Sequence, residues 1–204
     1  MEAVEVYADI VCPFTHFALR RFAEARAARG LTVPLRVRAW PLEWVNGAPV
    51  EPALVAHEIE ALECSVAHEL FFGFEAERFP KSSILALGLV STAYEINDAI
   101  GEAMSFRVRD ALFEEGRDIS DANEMARIAA EFGLSPIAIG DARARVNAEW
   151  ENGRRRDVKG SPHFFVADRE WFCPSLSIRH EGETFEVDLD GARQREFLDA
   201  VLIR

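Results

Sequence analysis

The stretch Asp9-Ile10-Val11-Cys12-Pro13-Phe14-Thr15-His16 decides how the rest of the chain is read. Ahead of it, Val4, Val6, Ile10 and Val11 form an apolar run that predicts a strand over Val4–Val11. Behind it, an amphipathic pattern from Pro13 to Arg29 predicts a helix, so Cys12 falls where a strand hands over to a helix. Pro13 suits the first helical turn, where a missing N–H costs nothing. The first amides of a helix lack partners and carry about half a positive charge, which favours thiolate over thiol. That dipole supplies about 0.3–2 kcal/mol, roughly one pKa unit, and a larger shift needs cationic neighbours. A depressed thiol pKa at Cys12 is one expectation. A buried cysteine closing a strand is the other, because unpaired cysteine is among the most buried residue types.

Moving outward, Gly30 stops the helix and Val33–Trp40 alternates as a second strand, with Val33, Leu35, Val37 and Ala39 on one face and Arg36 and Arg38 on the other. Strand, helix and strand make a βαβ unit with a parallel pair. Pro41–Pro52 reads as a loop. The period then turns helical, predicting helices over Ala53–Phe72, Ser82–Asn97, Asp98–Glu115, Asp121–Phe132 and Ser135–Glu151. Strands return at His163–Val166, Ser175–His180 and Thr184–Leu189, with a hairpin turn at His180-Glu181-Gly182-Glu183, and Asp190-Gly191 opens a last helix. This order predicts an α/β fold with one sheet assembled from both ends of the chain and a helical lid between them. The expected segments are 1–50 (βαβ), 51–155 (helical insertion) and 156–204 (ββα).

Composition narrows the function. The chain has 204 residues, 49% of them hydrophobic and 28% charged, as in an ordinary globular protein. Its 35 acidic and 23 basic residues give a formal net charge of -12, which repels nucleic acid and anionic membranes; neither is an expected partner. No run approaches the ~18–20 apolar residues of a membrane span. The acidic start Met1-Glu2-Ala3-Val4-Glu5 reads as the approach to a first strand and not as an export signal. Three widely spaced cysteines, Cys12, Cys64 and Cys173, do not form a disulfide framework, and the expected compartment is the cytoplasm.

The second informative stretch is Lys159-Gly160-Ser161-Pro162-His163-Phe164-Phe165-Val166. Proline directly before an apolar strand fits a simple loop end, and it equally fits a constrained approach of backbone to a site through a cis bond. Taken together, Cys12-Pro13 at a strand-to-helix junction, a helical insertion, and Gly160-Ser161-Pro162 before Phe164-Phe165-Val166 resemble the DsbA-like branch of the thioredoxin superfamily. Phe79-Pro80-Lys81-Ser82 and the run from Leu112 to Asp121 look like segments of FrnE-like oxidoreductases, relatives of 2-hydroxychromene-2-carboxylate isomerases and kappa-class glutathione transferases.

The resemblance implies a thioredoxin-like fold with a large all-helical insertion, Cys12 as attacking thiolate and Pro162 as a cis-proline facing it. Dithiol members of the family carry a second cysteine where this chain has Thr15. Release of a mixed disulfide requires a second thiolate. Cys12 then needs an outside thiol such as glutathione as co-substrate, with a thiol or disulfide substrate, no tightly bound cofactor, and a homodimer compatible with the reading. A glutathione-dependent isomerase or transferase acting on a small aromatic compound is the alternative, and a non-enzymatic thioredoxin-fold binding module is the third.

Around Cys12, Thr15 and Pro162 the expected binding residues are Pro13, Phe14, His16, Ser161, His163 and Arg156. His16, four residues beyond Cys12, either favours the thiolate as an imidazolium or simply packs. His163 points to the site or into the sheet, with alternation favouring the sheet. Arg154-Arg155-Arg156 and Lys159 form either a solvated helix end or a carboxylate receptor. Cys64 and Cys173 read as core thiols, Asp190 as a helix N-cap, and no metal site is expected, since Cys12, His16 and His163 lack ligand-pair spacing. Phe14, Trp40, Trp44, Phe71, Phe72 and Phe74 are expected beside a groove under the lid, most of them as core.

Overall fold

The computed structural model describes residues 3–181 and 184–202. Strand β1 (Val4–Ala8) leads through helix α1 (Pro13–Ala28) into β2 (Leu35–Ala39). A helical block follows: α2 (Leu42–Asn46), α3 (Pro52–Ser65), a single 3₁₀ turn at Ala76–Arg78, α4 (Ile84–Ile96), α5 (Asp98–Phe113), α6 (Ala122–Glu131) and α7 (Ile139–Arg155). The chain returns through β3 (His163–Val166), β4 (Arg169–Phe172), β5 (Leu176–Glu181) and β6 (Thr184–Leu189) to α8 (Gly191–Val201).

One sheet has the order β2-β1-β3-β4, with β1 parallel to β2, β3 antiparallel to β1 and β4 antiparallel to β3. Strand period two divides β1 between two covers. Val4, Val6 and Ala8 pair with Leu35, Val37 and Ala39, and all six are buried. Val6 also faces Phe164, whose ring meets Phe197 of α8 at 4.7 Å. On the other face Tyr7 lies edge-on to Phe165 (5.7 Å) and Trp40 (6.3 Å), and its hydroxyl donates to Asn152 of α7 at 2.5 Å. Gly153 permits this approach, because a Cβ there would stand 2.7 Å from Trp40 and 2.9 Å from Tyr7.

The outer edge of β2 is closed by side chains. Tyr94 of α4 accepts from the Val37 amide and donates to the Leu35 carbonyl, both at 3.0 Å, and Glu149 of α7 accepts from the Ala39 amide at 2.6 Å. These bonds satisfy three outward groups of the edge and fasten the helical block to the sheet.

Several boundaries differ from the sequence reading. β1 ends at Ala8 and not at Val11, because Asp9–Val11 turn away to present Cys12. The Pro41–Pro52 loop contains α2, which stops at left-handed Gly47. The helix expected over Ala53–Phe72 ends at Ser65, and Phe71 adopts a left-handed φ of 69°. Helix α7 starts and ends about four residues later than predicted: Pro136 holds back its start, and Gly153 carries it onto the sheet. The largest difference lies in the returning strands. β4, not singled out in the sequence, is the strand that completes the main sheet, while β5 and β6 pair only with each other. Leu176, Ile178 and Val187 give that hairpin an apolar face, β6 packs on α3, and the Asp190 amide closes its base on the Ser175 carbonyl at 3.0 Å. Gly182 and Glu183 of the expected turn lie outside the described residues. Asp190 caps α8, accepting from the Arg193 amide at 3.0 Å.

Candidate active site

The turn between β1 and α1 is held from three sides. Asp9, fully buried, accepts from the amides of Val11 (3.3 Å) and Leu42 (2.6 Å). Burial raises its carboxyl above the usual carboxylate range, and these hydrogen bonds draw it back. From α5, the buried Arg109 donates through Nη1 to the carbonyls of Asp9 (2.7 Å) and Ile10 (3.2 Å). Cys12 then takes the N-cap position of α1 in extended conformation, with Pro13 in the first turn.

Opposite this turn stands Ser161, joined to Pro162 by a cis peptide bond. The Cys12 thiol donates to the Ser161 carbonyl at 3.2 Å. The Ser161 hydroxyl accepts from the Asp9 amide at 2.9 Å and shares a hydrogen bond with the Thr15 hydroxyl at 2.8 Å. Four residues picked out in the sequence, Cys12, Thr15, Ser161 and Pro162, are thus brought together across 150 residues of chain. Pro13 and Phe14 are buried beside them in the first turn of α1.

The electrostatics reverse one expectation. Burial pushes the Cys12 thiol above its ordinary value, the Glu58 carboxylate on α3 adds to the rise, and hydrogen bonds from Thr15 and Ser161 counter it. Desolvation can move a fully buried group by up to 3–5 units, against roughly one from a helix dipole, so the N-terminus of α1 is outweighed in this covered state. Glu58 was not read from the sequence. Burial raises its own carboxyl to about 7.

The two histidines are structural. His16 Nε2 lies 2.8 Å from Glu114 Oε1, and its ring packs on Phe113 (5.0 Å) and Phe71 (5.4 Å). Burial lowers its pKa more than Glu114 restores it, so the imidazolium envisaged beside Cys12 is not supplied. His163 turns onto the sheet face of Tyr7, accepts from the Lys159 amide at 3.2 Å and packs on Phe165 at 4.3 Å. Burial lowers it to about 4. Because an unfolded histidine titrates near 6.5, this contribution to stability is complete above about pH 6.5 and is lost as pH falls towards 4. Unfolding free energy measured from pH 7 to pH 4 is expected to fall more in the wild type than in His163→Gln, by up to about 3 kcal/mol. Equal slopes would remove His163 as a cause.

Arg156 is engaged elsewhere, with Nη1 at 2.6 Å from Glu5 and its guanidinium 4.2 Å above the Phe165 ring. Lys159 pairs with Glu170 and Arg154 with Glu151, so the basic cluster serves the sheet and the end of α7, not the Cys12 site. Cys64 is exposed, against the core position expected, whereas Cys173 is buried, as expected. The Cys173 amide donates to the Pro162 carbonyl at 3.0 Å, and burial pushes its thiol up to about 12. Of the aromatics expected beside a groove, Phe71 and Phe74 stack about Phe113, Trp40 and Trp44 about Trp150, and only Phe72, at 78% exposure, faces outward. A 710 Å³ cavity beside Trp44 and Arg143 and a 540 Å³ cavity beside Arg26 and Phe106 are both lined without Cys12, which is buried at 4% exposure.

Arg109 and Asp9 complete the site without having been assigned roles from sequence. A signal for Arg109 existed: it follows Ser105 by four residues and precedes Leu112 by three, which places a charge inside the buried stripe of α5.

The chain matches the family model of the DSBA-like thioredoxin domain over residues 3–177. Comparison with curated proteins gave no match. Among solved structures it is similar to a 2-hydroxychromene-2-carboxylate isomerase (HCCA isomerase), at 20% identity and TM-score 0.61, covering 83% of this chain and 88% of that one. It is also similar to the cytosolic disulfide reductase DsbM from Pseudomonas aeruginosa, at 18% identity and TM-score 0.60 with 97% of each chain covered. The same reductase with GSH aligns at 20% identity and TM-score 0.61, covering 97% of this chain and 98% of that one. At these identities the likeness is one of fold.

Proposed function

Because this chain belongs to the DSBA-like thioredoxin family, we propose that it is a thiol-disulfide oxidoreductase working through one motif cysteine, Cys12, and taking its second thiol from solution as glutathione. The observation that carries this reading is the hydrogen bond, 3.2 Å long, that sets the Cys12 sulfur against the carbonyl preceding cis-Pro162.

The reaction begins with loss of the Cys12 proton. The thiolate attacks one sulfur of a substrate disulfide; the S–S bond breaks, its other sulfur leaves as a thiolate, and Cys12 is left in a mixed disulfide. A glutathione thiolate then attacks that mixed disulfide, Cys12 leaves as thiolate, and the new disulfide departs. The Thr15 hydroxyl cannot perform this second attack; its bond to Ser161 holds the cis-proline loop in place. Cys12 is only 4% exposed, so the residues over it must part before an in-line approach to its sulfur is open. The expected setting is a reducing cytoplasm, where an external thiol is plentiful.

Incubation with oxidised glutathione followed by peptide mass analysis tests the reading. A glutathione adduct is expected on Cys12 that persists until external thiol is added. Thr15→Cys is expected to release glutathione from Cys12 without added thiol. Absence of a Cys12 adduct in the wild type would overturn the proposal.

The burial of Cys12 and the missing second thiol also favour a second reading, a glutathione-dependent isomerase that uses this site to hold glutathione's sulfur without exchange. That reading expects glutathione binding without a covalent adduct.

A further inference from the structure

Arg109 is the largest of the fully buried side chains among the described residues, at 0% exposure, on a buried helix face shared with Ser105, Val108 and Leu112. Its Nη1 bonds to the Asp9 and Ile10 carbonyls, while Nε and Nη2 have no hydrogen-bond partner among the described residues. A buried charge left with unmet donors is costly unless an anion lies near. Bracing two carbonyls explains one nitrogen of three.

The anions that face Arg109 can be taken in turn. Asp9 also faces the guanidinium and acts on it through charge, but its oxygens are directed to the Val11 and Leu42 amides and, among the described residues, neither is hydrogen-bonded to Arg109. Asp110 pairs with Arg20 on the outer side of α5. Tyr94 is committed to the β2 edge, and burial and its neighbours push its phenol far above the working range. His16, which also faces Arg109, is held neutral. The other group is the Cys12 sulfur, at the end of the turn whose Asp9 and Ile10 carbonyls Arg109 grips, which on ionising places a negative charge near this guanidinium.

We propose that Arg109 is a positioning residue that serves as the built-in counter-charge of Cys12: its unmet N–H groups are answered when the sulfur ionises. This deepens the reading of Cys12 as a nucleophile and rests on it. It also supplies the cation that His16 does not. Three other titrating groups face the sulfur or its turn. Glu58 from α3 opposes the thiolate, Asp9 lies at the start of the turn with its carboxylate on two amides, and burial pushes the Cys173 thiol after β4 up to about 12, so it stays protonated in the working range. Burial lowers Arg109 only to about 10, so it remains charged across that range.

The test is the rate of iodoacetamide alkylation at Cys12 against pH, read by peptide mass so that Cys64 does not contribute. Alkylation is independent of which reaction Cys12 serves, so failure of the oxidoreductase reading leaves this result interpretable. Arg109→Met removes the charge and is expected to raise the midpoint of the profile by about 1–3 pH units, the range for losing an adjacent opposite charge. Arg109→Gln keeps donors for the two carbonyls but carries no charge at any pH, and its midpoint is expected to rise as in Arg109→Met. A folded Arg109→Met with the wild-type midpoint overturns the proposal. If Arg109→Met does not fold, Arg109→Gln decides alone, and a midpoint within about half a unit of wild type overturns it.

Discussion

Cys12→Ser is expected to lose thiol-disulfide exchange by about a thousandfold or more, measured as glutathione-dependent reduction of a small disulfide. Serine preserves the size of the side chain and can donate to the Ser161 carbonyl as the thiol does, so the fold should persist and the loss reports chemistry. The magnitude follows from the mechanism. A hydroxyl is scarcely ionised at neutral pH and forms no disulfide, so both steps fail together. Cys64→Ser provides the contrast: Cys64 is exposed on α3, and its replacement is expected to leave the rate within about twofold, the usual result for a surface substitution away from the site. Activity in Cys12→Ser above a few per cent of wild type would mean that another group carries the reaction.

Phe113→Ala is expected to produce the largest loss of stability, about 3–5 kcal/mol, with a fall in Tm of roughly 10 °C in a chain of this size. Phe113 is fully buried at the end of α5 and meets His16 at 5.0 Å, Phe71 at 5.3 Å and Phe74 at 6.2 Å. It therefore fixes the 71–74 segment and the first turns of α1 to the same helix that carries Arg109. A cavity at this point cannot be filled by simple collapse, because Gly73 is already pressed on the backbone of Glu114: a Cβ at Gly73 would lie 2.2 Å from the Glu114 carbonyl oxygen. Urea unfolding monitored by far-UV dichroism measures the change. A loss under about 1.5 kcal/mol would show that the ring is not a keystone of this region.

The elements legible in the sequence were those with a strong local period. Val4 to Ala8 and Leu35 to Ala39 read as strands because alternation in a half-buried sheet leaves a pattern of two. Helices α1, α4, α5 and α6 read well because glycine, proline and capping residues punctuate them. Strand β4 was not legible. Arg169-Glu170-Trp171-Phe172 is mostly exposed and takes its strand geometry from pairing with β3, a non-local cause that local composition does not express. The path after Ser65 was also hidden. Phe71 and Phe72 extend an apolar pattern, yet their amides are drawn to Glu114, 43 and 42 residues away in sequence, and the helix ends.

The sequence alone determined that this chain has a thioredoxin-like sheet interrupted by helices, and that Cys12, Thr15, Ser161 and Pro162 belong together. The order of strands and helices rests on local propensity, whereas the thioredoxin-like fold and the pairing of Cys12 with the Pro162 loop rest on the resemblance to the DsbA-like family. Only the tertiary structure decided the state of the sulfur. A thiol's pKa is set by the summed field and desolvation of every neighbour. At Cys12 those neighbours include Glu58 on α3 and Ser161 beside cis-Pro162, two groups that share no local pattern with it. The same holds for His16, four residues away in sequence, which the fold assigns to Glu114.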